Sequence, residues 1–498
     1  MNPSHDGGMG FGAREESDAR TPERGTLFLS VADLTGAMQR REISPVDVVE
    51  DMLAAIEDQR GTINAFMAVA AEQARAEALR AEDRWSRGEP RGPLDGVPFV
   101  VKDLTPTAGL TTTSGSRTRA TAVPASDAIA VARIKAAGAI LIGKTTTPEY
   151  GHKPLTDGPL FGTTRNPWAR DRTPGGSSGG TAAAVAAGFG PIGIGTDGGG
   201  SIRIPAACCG IVGLKPSLGR VPHVEAGDTF NNLSHVGPMT RTVADARLAF
   251  RAMAGAHSHD VLSMMPPSVR RAAEGPRGLR VGWLARVGAH GVDPAMLAAA
   301  RRLADACGEA GAEVVPIELD FVALEPAFLT IMRAGLFARL GHLLDDRRDE
   351  LDATFAETLE LGRDLRAVDL QRAFDERTWA FRKVQEVFDQ VDVIVSPTTT
   401  LPPLPLDHDV FGPLVVDGVA YPTLRAAWYP YTYPLNLTGH PAVSVPSGFT
   451  HDGLPLGAQL AGPWGSEELL LDLAEWWSTV QPWQHLRPPA CGPIVASA

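Results

Sequence analysis

Residues 173–217 read TPGGSSGGTAAAVAAGFGPIGIGTDGGGSIRIPAACCGIVGLKPS, and no other stretch limits the fold of this chain so strongly. Its small-residue run, Thr181–Gly188, suits a helix packed close against its neighbours, and Pro191–Gly195 suits a buried strand. A flexible glycine-serine linker does not sit inside such a pattern. Gly193–Gly198 satisfies GxGxxG, but a dinucleotide site needs a helix to begin there, and SIRIPA follows with β-branched residues and Pro205. Gly176–Gly180 satisfies GxSxG, which nominates Ser178 as a hydrolase nucleophile with His440 or His451 downstream. That elbow needs a strand before it, and RDRTPG stands there instead.

The remainder alternates helices with short apolar strands. Ser44, Pro45 and Asp47 start a helix, Val48, Val49, Met52, Leu53 and Ile56 repeat at helical spacing, and Gly61 closes it. A charged, alanine-rich helix follows near Val69–Arg87, and Ser126 caps another through Ala137. Asp293 caps a helix from Pro294. Strands are expected within Pro93–Leu104 and at Ala139–Gly143, Leu279–Trp283, Glu313–Ile317 and Val391–Val395. This alternation predicts an α/β sheet covered on both faces. At 498 residues, length alone suggests about three domains, but no repeat or linker divides the chain cleanly.

Charge and cysteine usage narrow the function classes. Lys and Arg number 46 against 58 acidic residues, a net charge of −12 that disfavours a nucleic-acid partner. No apolar run is long enough to span a membrane, and residues 1–25 lack a signal-peptide core, reading as a disordered leader. Cys208, Cys209, Cys307 and Cys491 form neither a disulfide framework nor a zinc pattern, which points to a reducing cytoplasm. Lysine is scarce: Lys102, Lys135, Lys144, Lys153, Lys215 and Lys383 are the full set. A buried lysine can lose its proton, whereas arginine cannot.

Three motifs in order, Gly96–Asp103 (GVPFVVKD), Gly175–Gly180 (GGSSGG) and Gly195–Ala206 (GTDGGGSIRIPA), resemble those of the amidase signature hydrolases. The 24 positions from Ser177 to Ser201 match as well, and similarity extends through Gly109–Ser116, Arg165–Trp168, Gly213–Ser217 and Asn436–Gly448. The resemblance implies one α/β domain over residues 26–487, a C-terminal tail at 488–498, and a mixed, mostly parallel, twisted sheet. It implies Ser201 as nucleophile, Ser177 as a bridging serine in a cis peptide, and Lys102 as base. Backbone amides of Gly198, Gly199, Gly200 and Ser201 correspond to the oxyanion hole, with Ser178, Thr196, Asp197 and Arg203 bracing these groups. No metal or cofactor is implied. The expected substrates are small apolar or aryl amides, with carbamates (urethanes) alongside. The rival reading is a glutamine-hydrolysing subunit of a tRNA-dependent amidotransferase.

The chemistry explains the residue types. A serine hydroxyl attacks an amide only after a base takes its proton, and no histidine lies in these motifs. Lysine serves if burial beside VPFVV lowers its pKa by roughly three units, which costs about 4 kcal/mol. By itself Lys102 reads more simply as a structural salt-bridge partner, with Asp103 nearby, and Lys144 and Lys215 read as protonated structural contacts. Trp428, Tyr429 and Tyr431 sit in a tyrosine cluster that fits either a leaving-group pocket or a packed turn. Phe328, Ile331, Met332 and Leu336 recur at helical spacing and read as core. Pro222–His235 has loop composition suited to the mouth of a site.

Overall fold

Helix Pro45–Ile63 starts as its sequence dictates, with the Ser44 hydroxyl accepting from the Asp47 N–H and the Asp47 carboxylate accepting from the Ser44 N–H. Val48, Val49, Met52, Leu53 and Ile56 are its buried stripe; the helix passes Gly61 and ends at Asn64 in the left-handed region. This computed structural model describes residues 25–268, 270–272 and 274–489. The leader expected at 1–25, apart from Gly25, and Cys491 with the tail beyond Pro489 lie outside the described residues. The helix expected from Ser126 instead spans Ile129–Ala136 behind an Ala128 N-cap with no side-chain bond. Asp127 is engaged elsewhere, accepting from Ala108 N–H and the Lys135 ammonium.

Among the described residues, eleven strands form one sheet, in the order Phe66–Val69, Ile140–Thr145, Pro98–Lys102, Ile192–Asp197, His235–Thr240, Val212–Lys215, Ala442–Phe449, Pro455–Ala461, Val393–Pro397, Arg280–Trp283 and Glu313–Pro316. The sheet is mixed, but the expected parallel majority is not there: four junctions are parallel and six antiparallel. The reason lies in the middle, where strands return through loops or a tight turn rather than through crossover helices. Parallel pairing survives in the two flanks.

Side chains alternate across the sheet as strand geometry requires. Val100, Ile140 and Ile142 face one apolar cluster, and Phe99, Val101 and Leu141 face the other. Helix Gly179–Ala186 is buried along its whole length. A Cβ on Gly180 would come within 2.5 Å of the Thr146 nitrogen, so the small-residue run is what lets this helix settle on its neighbour. Helices Glu325–Leu340, Ala353–Arg363 and Ala367–Phe388 pack together as a further layer. Its first helix brings Phe328 so near the loop after strand Ile192–Asp197 that a Cβ on Gly199 would lie 2.7 Å from the ring. Among the described residues, no helix is long and apolar enough to cross a membrane.

Candidate active site

Strands Pro98–Lys102 and Ile192–Asp197 are parallel neighbours, and both end at the same edge of the sheet. Ligand sites in such sheets lie at strand carboxyl ends, and here those ends deliver Lys102, Thr196 and Asp197 together. The loop before helix Gly179–Ala186 adds Ser177 and Ser178, and the loop before helix Arg203–Cys209 adds Gly198–Ser201.

Lys102 is fully buried, and its Nζ lies 2.7 Å from Ser177 Oγ, 2.9 Å from Thr196 Oγ1 and 3.3 Å from the Thr196 carbonyl. Burial lowers its pKa to about 7, against an opposing pull from the Asp197 carboxylate. The salt bridge to Asp103 is not formed; Asp103 accepts instead from the Thr113 N–H and hydroxyl. A neutral amine has two protons and a lone pair. Giving the protons to Thr196 leaves the lone pair for the Ser177 hydroxyl proton. The Gly176–Ser177 peptide is cis. Ser178 connects the halves of the site: its N–H donates to the Ser201 carbonyl at 3.2 Å, and its hydroxyl donates to the Thr196 carbonyl at 3.2 Å.

Asp197 and Arg203 form a buried ion pair at 3.0 Å. The guanidinium also donates to Gln459 Oε1, the Thr432 carbonyl and Asn436 Oδ1. Burial pushes the Asp197 carboxyl up, but the Arg203 charge and its hydrogen bonds to the carboxylate outweigh this and hold it well below the usual carboxylate range. Asp197 Oδ1 accepts from the Gly200 N–H at 2.7 Å. This corrects the expectation that Gly200 lends its amide to an oxyanion hole: that proton is already committed. Among the described residues, no hydrogen bond uses the N–H of Gly198, Gly199 or Ser201. Gly200 has a φ of 131°, and a Cβ there would lie 2.6 Å from Ile204 Cδ1, so this turn requires glycine.

Ser177, Thr196, Gly198, Gly199 and Ser201 lie on the floor of a cavity of about 610 Å³. Phe328 and Ile331 belong to the buried core, as expected, Met332 and Leu336 pack against core clusters, and all four also line the cavity. The loop within Pro222–His235 contributes at the mouth, as its composition suggested. The aromatic cluster divides. Tyr429 faces the cavity, whereas Trp428 and Tyr431 are corrected to packing residues: the Trp428 indole donates to the Leu401 carbonyl and the Tyr431 hydroxyl to the Ala285 carbonyl. Asn436, Thr432 and Gln459 escape sequence reasoning, although Asn436 opens one of the recognised motifs. Arg425 escapes it too.

The competing readings of the glycine segment do not survive. Gly193 and Gly195 lie inside a strand, and no helix starts there. His440 stacks on Phe381 and bonds Thr438 and Gln385 rather than Ser178, and His451 is exposed. Lys215 is fully buried and donates to the Pro216 carbonyl, and burial pushes its pKa well below normal rather than leaving an ordinary ammonium. Among the described residues, no three His, Cys, Asp or Glu side chains gather as metal ligands.

Comparison with known proteins agrees with this geometry. The family model described as Amidase matches residues 47–471. The chain is 36% identical over 471 residues to an acylamidase of Rhodococcus erythropolis, covering 94% of this chain and 98% of that one. It is 38% identical over 490 residues to one subunit of the glutamyl-tRNA(Gln) amidotransferase of a Roseiflexus species, covering 93% and 98%. A solved bacterial aryl acylamidase of the amidase signature enzymes superposes with a TM-score of 0.87 at 29% identity, over 95% of this chain and all of the other. The chain belongs to the amidase signature family and is an amide hydrolase.

Proposed function

We propose that this enzyme cleaves the C–N bond of small apolar or aryl amides, carbamates included, through an acyl-enzyme on Ser201. The observation that carries the reading is a fully buried Lys102, held near neutrality at about 7 and 2.7 Å from the Ser177 hydroxyl. Neutral Lys102 takes the Ser177 proton as Ser177 takes that of Ser201, and Ser201 Oγ attacks the carbonyl carbon. The resulting oxyanion is met by the uncommitted N–H groups of Gly198, Gly199 and Ser201. As the intermediate collapses, the proton returns through Ser177 to the leaving nitrogen and the amine departs. Water then attacks the acyl carbon along the same relay, releasing the acid and restoring Ser201.

The apolar wall from Phe328 to Leu336 supports apolar and aryl groups as the parts of substrate bound there. Among the described residues, three buried free cysteines fit a reducing, cytoplasmic setting, and the acidic net charge fits a small-molecule partner rather than nucleic acid. Purified chain assayed with a chromogenic anilide and an aryl carbamate tests the reading: turnover that disappears in Ser201→Ala is expected. Turnover retained by that variant overturns it. The amidotransferase likeness favours a second reading, in which the chain hydrolyses glutamine for a partner. Glutamine turnover only with a partner, and none of anilides alone, selects that alternative.

A further inference from the structure

Several charged side chains line the cavity, Lys153, Glu225, Asp228, Arg339 and Arg425, and the steps above use none of them. Arg425, on the short helix Leu424–Trp428, lines the cavity with 5% of its surface exposed. Its Nη2 donates to the His152 carbonyl. Its Nη1 meets poor acceptors, the Tyr429 hydroxyl at 3.4 Å and Met332 Sδ at 3.7 Å. Among the described residues, no carboxylate lies within 4.0 Å of this guanidinium. Arg203, fully buried beneath the glycine loop, has Asp197 at 3.0 Å. Glu325 acts on Arg425 from a greater distance; burial pushes its carboxyl up, and the Arg425 and Arg333 charges pull it down. Arg333 adds a second positive charge to the same neighbourhood, and its Nε is buried without a partner among the described residues. A buried cation with no carboxylate in direct contact is incompletely compensated, so an anion supplied from the cavity side is favoured.

Arg425 is also near the reacting groups. Its acceptor His152 follows Gly151, where an added Cβ would lie 3.1 Å from Ser177 Oγ. Its neighbour Tyr429 is fastened to the glycine loop, since the Thr432 hydroxyl lies 3.1 Å from the Tyr429 carbonyl and 2.8 Å from that of Gly199. A planar guanidinium in such a wall matches a carboxylate by paired N–H···O bonds, and Phe328 and Ile331 line the same cavity as an apolar surface for a carbon chain.

We propose that Arg425 is a specificity residue that binds a carboxylate on the substrate, so that the preferred amides are carboxylate-bearing ones. This inference rests on the hydrolytic reading above. Two substrate pairs test it: butyryl against glutaryl p-nitroanilide places the charge on the acyl side, and acetanilide against 4-acetamidobenzoate places it on the leaving group. The wild-type enzyme is expected to favour the charged member of one pair by about tenfold or more in kcat/KM. In Arg425→Gln that ratio should fall to about one, and Arg425→Lys should restore part of it. Should the variants fold poorly, the unaltered enzyme still decides: on the side where the charge is preferred, the charged product should inhibit butyryl p-nitroanilide hydrolysis about tenfold better than the neutral-chain one, glutarate against butyrate or 4-aminobenzoate against aniline. Turnover of neutral anilides with no charge preference in either pair, no advantage for either glutarate or 4-aminobenzoate, or an unchanged ratio in Arg425→Gln overturns the proposal while leaving the hydrolytic reading standing. Absence of turnover for every compound overturns both.

Discussion

On the floor of the cavity, most polar groups have a fixed partner. Asp197 holds the Gly200 N–H and Arg203, Arg203 holds Gln459, Thr432 and Asn436, and Ser178 bridges Thr196 to Ser201. What stays unbonded there, the amides of Gly198, Gly199 and Ser201, is what an oxyanion would use. The wall is different. Helix Glu325–Leu340 presents Phe328, Ile331, Met332 and Leu336, which define shape without directional bonds, and Arg425 beside them is a buried charge with no carboxylate against it among the described residues. The floor depends on hydrogen bonds that over-determine its geometry, and the wall depends on volume. The first resists change and the second tolerates it, as expected when one region does chemistry and the other selects substrate.

Substitutions can break this contrast or sharpen it. Ser201→Ala should lower kcat on an anilide by about 10⁴-fold or more with an unchanged unfolding curve. Lys102→Met, which keeps the side chain's bulk, should lower kcat/KM by about 10³-fold. In the parent enzyme the uncharged amine is the active form, so kcat/KM should climb with pH below about 7 and level off above it. A flat profile through this range would separate Lys102 from the reaction. Asp197→Asn leaves Arg203 without its anion and should cost about 3–5 kcal/mol in urea-induced unfolding, since a broken buried pair leaves an uncompensated charge. Phe328→Ala should raise KM for aryl amides about tenfold with much less effect on kcat; a collapse in kcat would show that the wall takes part in floor geometry. Tyr431→Phe removes one buried hydrogen bond and should cost about 0.5–1.5 kcal/mol of stability, with kcat/KM unaltered.

Much of the floor is legible in the sequence because its residues are crowded into two stretches, around Ser177 and Ser201, whose composition tolerates few arrangements. Lys102 is legible through its apolar approach, PFVV, which announces a buried strand. Partners contributed from far along the chain are not: nothing local to Thr432, Asn436 or Gln459 reveals that a guanidinium some 200 residues earlier needs acceptors. The wall is legible as core but not as cavity lining, for a physical reason. Helical spacing reports that one face of Glu325–Leu340 is apolar, but a packed core and an empty cavity ask for the same face. Strand direction is also hidden, because apolar runs look alike whether the chain returns by a helix or by a loop. Gly200 misleads because the motif shows where an amide is, and only the fold shows that Asp197 has claimed it.

One consequence follows from the placement of Asp197 on the strand beside Lys102. Shielding from water weakens the amine's grip on a proton, and taken further it would leave an amine too feeble to strip a hydroxyl. The anion one strand away works against that drift. It thereby sets a lower bound on proton affinity with the same carboxylate that shapes the glycine turn. Basicity and loop shape are tied to a single side chain, so neither can be retuned without disturbing the other.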